Sequence, residues 1–225
     1  MKRLRNIRAV TFDVGGTLID PWPSVGHVYA EVAARHGLKN LSAGMLNQRF
    51  RAAFRARMQR VQTEAAWAEL VDEVFAGLTA PPPSQTFFPE LYRQFSEPGA
   101  WRIYDDALPA LQALAARGVR LGVISNWDDR LRRLLERLRL TDHFEIIIIS
   151  SEVGCAKPGP AIFEIALRKL KLAAETVVHV GDDLNSDIRG AQSAGLHALQ
   201  IRRRARRVRA GQIRSLRELP ARLPD

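Results

Sequence analysis

Four short polar clusters in the sequence each follow an apolar run, and each offers side chains that can bind a cation or an anionic group. The clusters contain Asp13 in "TFDVGGTL", Ser125 and Asn126 in "VISNWD", Lys157 in "GCAKPGP", and Asp182, Asp183 and Asp187 in "VGDDLNSDI". A single Asp or Ser after a strand often only caps the next helix. Four strand ends that each supply such a group are hard to explain by capping, so we predict that they form one joint site.

The residue types in these clusters favour phosphate chemistry assisted by a metal. Two or three carboxylates from different strand ends do not sit together in charged form without a cation, and their hard oxygens suit Mg²⁺. Lys157 and Ser125 can hold phosphate oxygens, and Gly15 and Gly16 let backbone N–H groups approach a phosphate closely. Asp13, next to a metal and a lysine, can act as a nucleophile on phosphorus.

The elements that must position these residues indicate an α/β fold. The apolar segments "IRAVTFD", "VRLGVIS", "EIIIIS", "TVVHV" and "HALQI" are predicted strands, and beyond residue 100 helical segments alternate with them. This alternation predicts a parallel sheet covered on both faces. In such open sheets ligands bind beyond the carboxyl ends of the strands, where the four polar clusters are predicted to lie.

Residues 20–100 are predicted to form a helical insertion between the first strand and the rest of the sheet. Helices are predicted over "SVGHVYAEVAARHG", "TEAAWAELVDEVFAGL" and "FFPELYRQFSEPG", with a loop at "APPPS". Phe50, Phe54, Met58 and Val61 recur at helical spacing and predict a seam between helices rather than a ligand site. The predicted organisation is a Rossmann-like core of residues 1–19 and 101–225 and a helical domain of residues 20–100.

Composition limits the partners and the compartment. The chain has 225 residues, a net charge of +10 and a single cysteine, Cys155. No apolar run approaches the ~18 residues of a membrane span, and one cysteine cannot form an internal disulfide, so a reducing cytoplasm is expected. The basic segment "RRRARRVR" at 202–209 lacks a recognition motif and interleaved aromatic residues, so nucleic acid is not the expected partner.

In order and spacing, "FDVGGTL", "VISNWD", "GCAKPGP" and "HVGDDLNSDIRGAQSAG" resemble the four motifs of the haloacid dehalogenase-like hydrolase superfamily. The resemblance covers essentially the whole chain and implies that the helical insertion is a C1-type cap. "PSVGHVYAEVAARHG" and "LYRQFSEPGAW" are most similar to the subgroup called haloacid dehalogenase-like hydrolase domain-containing protein 3, or REG-2-like. The resemblance therefore implies a hydrolytic enzyme, with phosphatase as the expected class.

The resemblance also implies catalytic roles for the first three motifs. Asp13 is the expected nucleophile, which forms an aspartyl intermediate. Ser125 and the Asn126 amide are expected to bind the transferring group. Lys157 is expected to neutralise charge on the nucleophile and on the phosphoryl group.

The resemblance implies Mg²⁺ as the cofactor, held around the first and fourth motifs. Asp182, Asp13 and the backbone carbonyl of Gly15 are the expected ligands. Asp187 is expected to support the water ligands of the metal or Lys157. Asp183 is either a second acid near the metal or an exposed neighbour.

The expected substrate is a small phosphorylated molecule. Gly16 and Thr17, next to the nucleophile, are expected to bind it together with the residues of the second motif. Trp22, His27 and Tyr29 follow the first motif, where the cap meets the core. They are candidates for selecting the substrate, with plain packing inside the cap as the alternative.

The first motif departs from the pattern of the superfamily phosphatases, which usually have Asp-x-Asp-Gly-Thr. Their second aspartate protonates the leaving alkoxide, and here Gly15 takes that position. Losing such an acid typically costs on the order of 10²–10⁴-fold in rate. Three interpretations stay open: a phosphohydrolase that is slow or suited to acyl and aryl phosphates, a dehalogenase-type hydrolase, and a binding protein without turnover. An acid from the cap, Asp20 or Glu31, is a further candidate for the missing group.

Overall fold

The computed structural model of the chain describes residues 6–57 and 63–223, which divide into two compact units. One unit contains the described residues up to Ile19 and those from Ile103 onwards, and the other contains Asp20–Arg102. The strands are β1 (Ala9–Phe12), β2 (Ile19–Pro21), β3 (Trp101–Ile103), β4 (Arg120–Ser125), β5 (Ile146–Ile149), β6 (Val177–Gly181), β7 (His197–Ile201) and β8 (Gln212–Ile213). The α-helices are α1 (Val25–Arg35), α2 (Ala43–Arg57), α3 (Glu64–Phe75), α4 (Phe88–Gln94), α5 (Ala107–Ala115), α6 (Arg130–Arg137), α7 (Ser150–Val153), α8 (Pro160–Leu170), α9 (Gly190–Ser193) and α10 (Leu219–Arg222).

The first unit is built around a six-stranded sheet in the order β5-β4-β1-β6-β7-β8, and its described strand pairs are parallel. Strand β1 is central, with Val10 paired to Leu121 of β4 and to Val178 of β6. The chain first builds the sheet outward through β4 and β5 and then continues from the other side of β1 with β6. Ligands bind where strand order reverses in this way, so the carboxyl ends of β1 and β6 flank the crevice. The predicted Rossmann-like α/β fold is confirmed.

Helix α8 shows how the sequence produces the layer over the sheet. It begins at Pro160, whose missing N–H costs nothing in the first turn. Ile162, Phe163, Ala166 and Leu170 recur along one face and are buried. They pack in a cluster with Ile124 of β4 and residues of β5, so the apolar strands of a parallel sheet are covered by the helices that connect them.

The second unit contains helices α1 to α4 around an aromatic core. Tyr29 lies at the centre of this core and its ring stacks on Phe75 at a centroid distance of 5.8 Å. Phe50 and Phe54 stack at 5.4 Å and pack on the same cluster, which agrees with the predicted helical seam. Met58 and Val61 lie outside the described residues. The predicted loop at "APPPS" leads into a short 3₁₀ turn at Pro83–Gln85.

Three short strands were not predicted from the sequence. Strands β2 and β3 pair into a separate two-stranded sheet, and each has three residues with no apolar run. Strand β8 has two residues and adds to the edge of the large sheet after the basic segment 202–209. Among the described residues, no helix is both long enough and apolar enough to cross a bilayer.

Candidate active site

The nucleophile candidate lies at the carboxyl end of the central strand. Asp13 follows β1 directly, and its backbone N–H donates to the carbonyl of Val180 at 2.9 Å, which continues the ladder with β6. The Asp13 side chain is buried, and its Oδ1 accepts a hydrogen bond of 3.1 Å from the Ser125 hydroxyl at the end of β4. Parallel pairing of β1 with β4 therefore brings two of the predicted residues together.

Lys157 is almost completely buried and joins two of the predicted carboxylates. Its Nζ donates to Asp13 Oδ1 at 2.8 Å, to Asp187 Oδ1 at 2.6 Å and to the Ile124 carbonyl at 2.8 Å. These three bonds use all three protons of an ammonium group. Burial alone would lower the pKa of Lys157, but the charges of Asp13 and Asp187 outweigh it and hold the pKa above its usual range.

Asn126 positions the loop that carries this lysine. The Lys157 N–H donates to Asn126 Oδ1, and Asn126 Nδ2 donates to the Lys157 carbonyl, both at 2.8 Å. The side-chain amide of Asn126 is thus engaged with the backbone of the lysine loop, and the expected binding of the transferring group by the Asn126 amide stays a prediction. The backbone N–H of Asn126 stays the candidate for binding that group.

The acids of the fourth motif have three different environments. Asp187 is buried, and its Oδ1 bonds Lys157 while its Oδ2 accepts the Asp183 N–H at 2.9 Å. Asp183 Oδ1 accepts the N–H groups of Asn185 and Ser186, so this acid caps the turn Leu184–Arg189 and is a capping residue, a third possibility beside the two expected from the sequence. Asp182 is exposed to solvent.

Two glycines leave the space that the carboxylates of Asp182 and Asp187 occupy. A Cβ on Gly181 would lie 2.2 Å from Asp187 Cγ, and a Cβ on Gly16 would lie 2.6 Å from Asp182 Oδ2. Gly16 also has φ of +75°, a conformation that other residues rarely adopt. The predicted substrate role of Gly16 stays a prediction, whereas its close approach to Asp182 has a clear steric reason.

Oxygens of Asp13, Asp182 and Asp187 lie within 4.8 Å of one another, which is the spacing of a metal-binding set. Burial raises the pKa of Asp13, and desolvation together with the charges of Asp13 and Asp187 raises the pKa of Asp182 to about 8. Water at the exposed side of Asp182 screens part of this effect. Three carboxylates beside one lysine carry excess negative charge that a divalent cation would offset, and an all-oxygen donor set fits a hard cation such as Mg²⁺.

A buried histidine extends this network and was not expected from the sequence to belong to it. His179 of β6 is fully buried, and its Nε2 lies 3.3 Å from Asp187 Oδ1 while its Nδ1 lies 3.0 Å from Thr11 Oγ1. Burial lowers the pKa of His179, so the ring is neutral. Because a carboxylate only accepts, Nε2 carries the proton and Nδ1 accepts from the Thr11 hydroxyl. The register pair Thr11–His179 could have been found only by knowing that β1 and β6 are neighbours.

The remaining predicted residues have surroundings of their own. Thr17 is fully buried, and its hydroxyl has no hydrogen-bond partner among the described residues. Trp22 belongs to the helical unit, is 47% exposed and has the Arg102 guanidinium 4.4 Å from its ring centroid. The substrate roles of Thr17 and Trp22, and the role of the Gly15 carbonyl as a metal ligand, stay predictions. Tyr29 packs inside the aromatic core of its unit, which agrees with the alternative of plain packing for this residue.

One residue of the basic segment has a structural role. Arg203 Nη1 donates to both carboxylate oxygens of Asp106 at 2.9 Å, and Nη2 donates to the Thr17 carbonyl. Its guanidinium also lies 3.6 Å from the ring centroid of Tyr104. Arg203 therefore ties the segment to the chain that follows Asp13, while its neighbours Arg202 and Arg204 are exposed.

Comparison with known proteins supports the resemblance. A family model described as haloacid dehalogenase-like hydrolase matches residues 7–195. Haloacid dehalogenase-like hydrolase domain-containing protein 3 of Homo sapiens is 34% identical over 206 residues, which cover 87% of this chain and 82% of that protein. These two matches confirm the predicted superfamily and the predicted subgroup.

Two solved structures show the same fold with different named activities. A HAD phosphatase from Thermococcus onnurineus has a TM-score of 0.66 and 25% identity over 96% of this chain and 97% of its own. A 2-haloacid dehalogenase from Pseudomonas syringae pv. Tomato DC3000 has a TM-score of 0.65 and 26% identity over the same shares of the two chains, 96% and 97%. The chain therefore belongs to the haloacid dehalogenase-like hydrolases, a family of hydrolytic enzymes.

Proposed function

We propose that this hydrolase is a Mg²⁺-dependent phosphohydrolase that acts on small molecules whose leaving group departs without a proton. The observation that carries the proposal is the position of Lys157. Its buried ammonium group contacts Asp13 and Asp187 at 2.8 and 2.6 Å, beside the cluster of three carboxylates. A nucleophile candidate, a fixed positive charge and a cation-binding set thus meet at the edge of the sheet where ligands bind.

The residues of this chain would divide the reaction as follows. A carboxylate oxygen of Asp13 attacks phosphorus, the bond from phosphorus to the leaving oxygen breaks, and the leaving group departs as an anion. Lys157 and Ser125, which both donate to Asp13 Oδ1, hold the carboxylate in position and offset charge on the phosphoryl group. Water then attacks phosphorus, which releases inorganic phosphate and restores Asp13.

The cation would be held by Asp13, Asp182 and the Gly15 carbonyl, with Asp187 fixed by Lys157 beside them. Mg²⁺ held there would supply positive charge that keeps these carboxylates ionised and that offsets charge on the phosphoryl oxygens. Asp13 depends on this charge because burial raises the pKa of its carboxyl group and only the ionised form is a nucleophile. We also propose that the helical unit is the cap implied by the resemblance.

Gly15 defines the class of leaving group in this proposal. Position 15 holds no acid that could protonate a leaving alkoxide. The hydrolysis of alkyl phosphates should therefore be slower, on the order of 10²–10⁴-fold, than in an enzyme that has the acid. Aryl and acyl phosphates release stable anions and lose far less. A haloacid also releases an anion when its halide leaves. Without a bound cation, however, the carboxylate of the haloacid would be repelled by the carboxylates of Asp13, Asp182 and Asp187, and this repulsion disfavours the dehalogenase alternative.

The test is steady-state hydrolysis of acetyl phosphate, 4-nitrophenyl phosphate and glycerol phosphate, each with Mg²⁺ and with EDTA. The wild type should cleave the first two in Mg²⁺ and neither in EDTA, and Asp13→Asn should lose at least about 10³-fold. Asp142→Asn is the matched control, because this acid is exposed in the turn before β5. An Asp13→Asn variant with wild-type rates would refute the assignment of the nucleophile. Metal-independent halide release from 2-chloropropionate without phosphate turnover would instead establish the dehalogenase alternative.

A further inference from the structure

The indole of Trp127 lies against Gly15, the position at which the resemblance places an acid in related phosphatases. A Cβ on Gly15 would lie 3.2 Å from Trp127 Cζ3 and 3.8 Å from Trp127 Cη2. Carbon atoms in contact prefer separations of about 3.5–4.0 Å. The contact at Cζ3 is a few tenths of an ångström too short, so a side chain at position 15 has to shift the six-membered ring of the indole, and Gly15 and Trp127 are sterically matched.

The backbone of Trp127 is held on two sides, which limits how the indole can move. Its N–H donates to Ser150 Oγ at 3.0 Å, and the same hydroxyl donates back to the Trp127 carbonyl at 3.1 Å. The Ser151 N–H donates to that carbonyl at 3.3 Å, and Ser150 is buried. The loop after β4 is thus anchored to the start of α7, so an acid at position 15 gains room by a shift of the indole side chain and not of the Trp127 backbone.

The position of the indole relates it to the reacting groups. Trp127 comes two residues after Ser125, and Gly15 comes two residues after Asp13, and Ser125 and Asp13 are hydrogen-bonded to each other. The indole is partly exposed at this edge of the sheet. The six-membered ring of an indole therefore lies beside the residue that replaces the proton donor.

We propose that Trp127 is a specificity-determining residue that selects phosphorylated substrates with a planar aromatic leaving group. The proposal rests on the proposed phosphohydrolase function and names the substrate class of that site. A phenolate departs without a proton, and its ring gains contact with the indole in an offset-stacked or edge-to-face arrangement. An alkyl alcohol needs the missing proton and offers no ring, so it is disfavoured on both counts.

The first test measures binding without turnover. Titration calorimetry in Mg²⁺ compares phenylphosphonate with methylphosphonate on the wild type, Trp127→Ala and Trp127→Phe. The wild type should bind phenylphosphonate about 10-fold more tightly, a typical gain for one aromatic contact. Trp127→Ala should lose this preference while it keeps its affinity for methylphosphonate, and Trp127→Phe should keep most of it. Trp67→Phe, which changes a tryptophan of the helical unit, is the matched control and should behave as the wild type.

The second test asks whether the indole excludes an acid. Gly15→Asp alone should not gain hydrolysis of glycerol phosphate, whereas Gly15→Asp with Trp127→Ala should gain at least 10-fold over Trp127→Ala. Full gain in the single variant would overturn the exclusion of the acid. A phenyl preference that survives in Trp127→Ala, or is absent from the wild type, would overturn the selection of aromatic substrates. Failure of the phosphohydrolase function would be seen separately, as a wild type that shows the phenyl preference but cleaves no phosphate.

Discussion

Replacing Lys157 by methionine should destabilise the protein more than any exposed charge substitution. The Lys157 side chain is 2% exposed, and its ammonium group is the shared partner of Asp13 and Asp187. Removing one partner of a buried ion pair typically costs about 3–5 kcal/mol, because the remaining charge is left uncompensated. Two carboxylates lose the same partner here, so we expect the upper end, about 5 kcal/mol. For a protein of this length that corresponds to a fall in Tm of roughly 10–20 °C.

Urea unfolding and calorimetry in EDTA measure this loss directly. Lys169→Met is the matched control, because it makes the same substitution at an exposed position of α8 and should change stability by less than about 0.5 kcal/mol. Added Mg²⁺ should restore part of the stability of Lys157→Met, since a cation among the three carboxylates replaces some of the lost positive charge.

A loss below about 1 kcal/mol for Lys157→Met in EDTA would refute this reasoning. It would show that Asp13 and Asp187 can be neutralised by protons with little loss in the free energy of unfolding, so that the lysine is not needed to compensate their charges. Equal effects of Mg²⁺ on the variant and on the wild type would refute the second part, the partial exchange of one positive charge for another.

Three further predictions concern the contacts of His179, Gly16 and Asp106. His179→Phe removes the donor to the Asp187 side chain and leaves the Thr11 hydroxyl without its partner, so the free energy of unfolding measured in urea should fall by about 1–3 kcal/mol. Thr11→Val, added to this variant, should recover part of that loss. Gly16→Ala should raise the Mg²⁺ concentration for half-maximal thermal stabilisation about 10-fold, because the added Cβ pushes against a carboxylate of the metal set. Asp106→Asn should cost about 1–3 kcal/mol at pH 7, and the difference from the wild type should shrink as the pH falls below about 4.

The sign of the last prediction follows from the folded state. Burial would raise the pKa of Asp106, but hydrogen bonds from Arg203, Ser215 and the Leu216 N–H outweigh it and hold the pKa below its usual value. The contribution of Asp106 to stability is therefore complete above the pKa that its carboxyl group has in the unfolded chain, and it is lost as the pH falls through the pKa of the same group in the folded protein. A difference between the two proteins that is unchanged from pH 7 to pH 3.5 would contradict it. Additive effects of His179→Phe and Thr11→Val, or unchanged Mg²⁺ stabilisation in Gly16→Ala, would contradict the other two.

The residues of the candidate site were predictable because their chemistry is local in sequence. Asp13 and Ser125 stand at the ends of apolar runs that indicate buried strands, and Lys157 lies in the loop a few residues beyond a third such run. Parallel strands all present their carboxyl ends at one edge. The sequence therefore predicts that Asp13, Ser125 and Lys157 lie together, and both Ser125 and Lys157 donate hydrogen bonds to Asp13.

Other contacts of the site could not be predicted, because they join side chains that come together only when the strands pair. His179 lies inside a strand rather than at its end, so nothing in its own segment marks it as a partner of Asp187 or of Thr11. Asn126 carries an amide that either binds a ligand or pairs with a backbone, and only the approach of the Lys157 loop selects the second. Strands β2, β3 and β8 are too short for hydrophobic periodicity to indicate them.

The sequence by itself determined the family, the fold class and the absence of an acid at position 15, because each of these is carried by residue type and spacing along the chain. Tertiary structure alone decided what stands beside Gly15. Trp127 is more than a hundred residues away in sequence, and its indole reaches Gly15 because β1 and β4 pair in parallel with their ends in register. The physical reason is that volume and charge at a site are set by all the strands that converge on it, whereas a motif records only one of them.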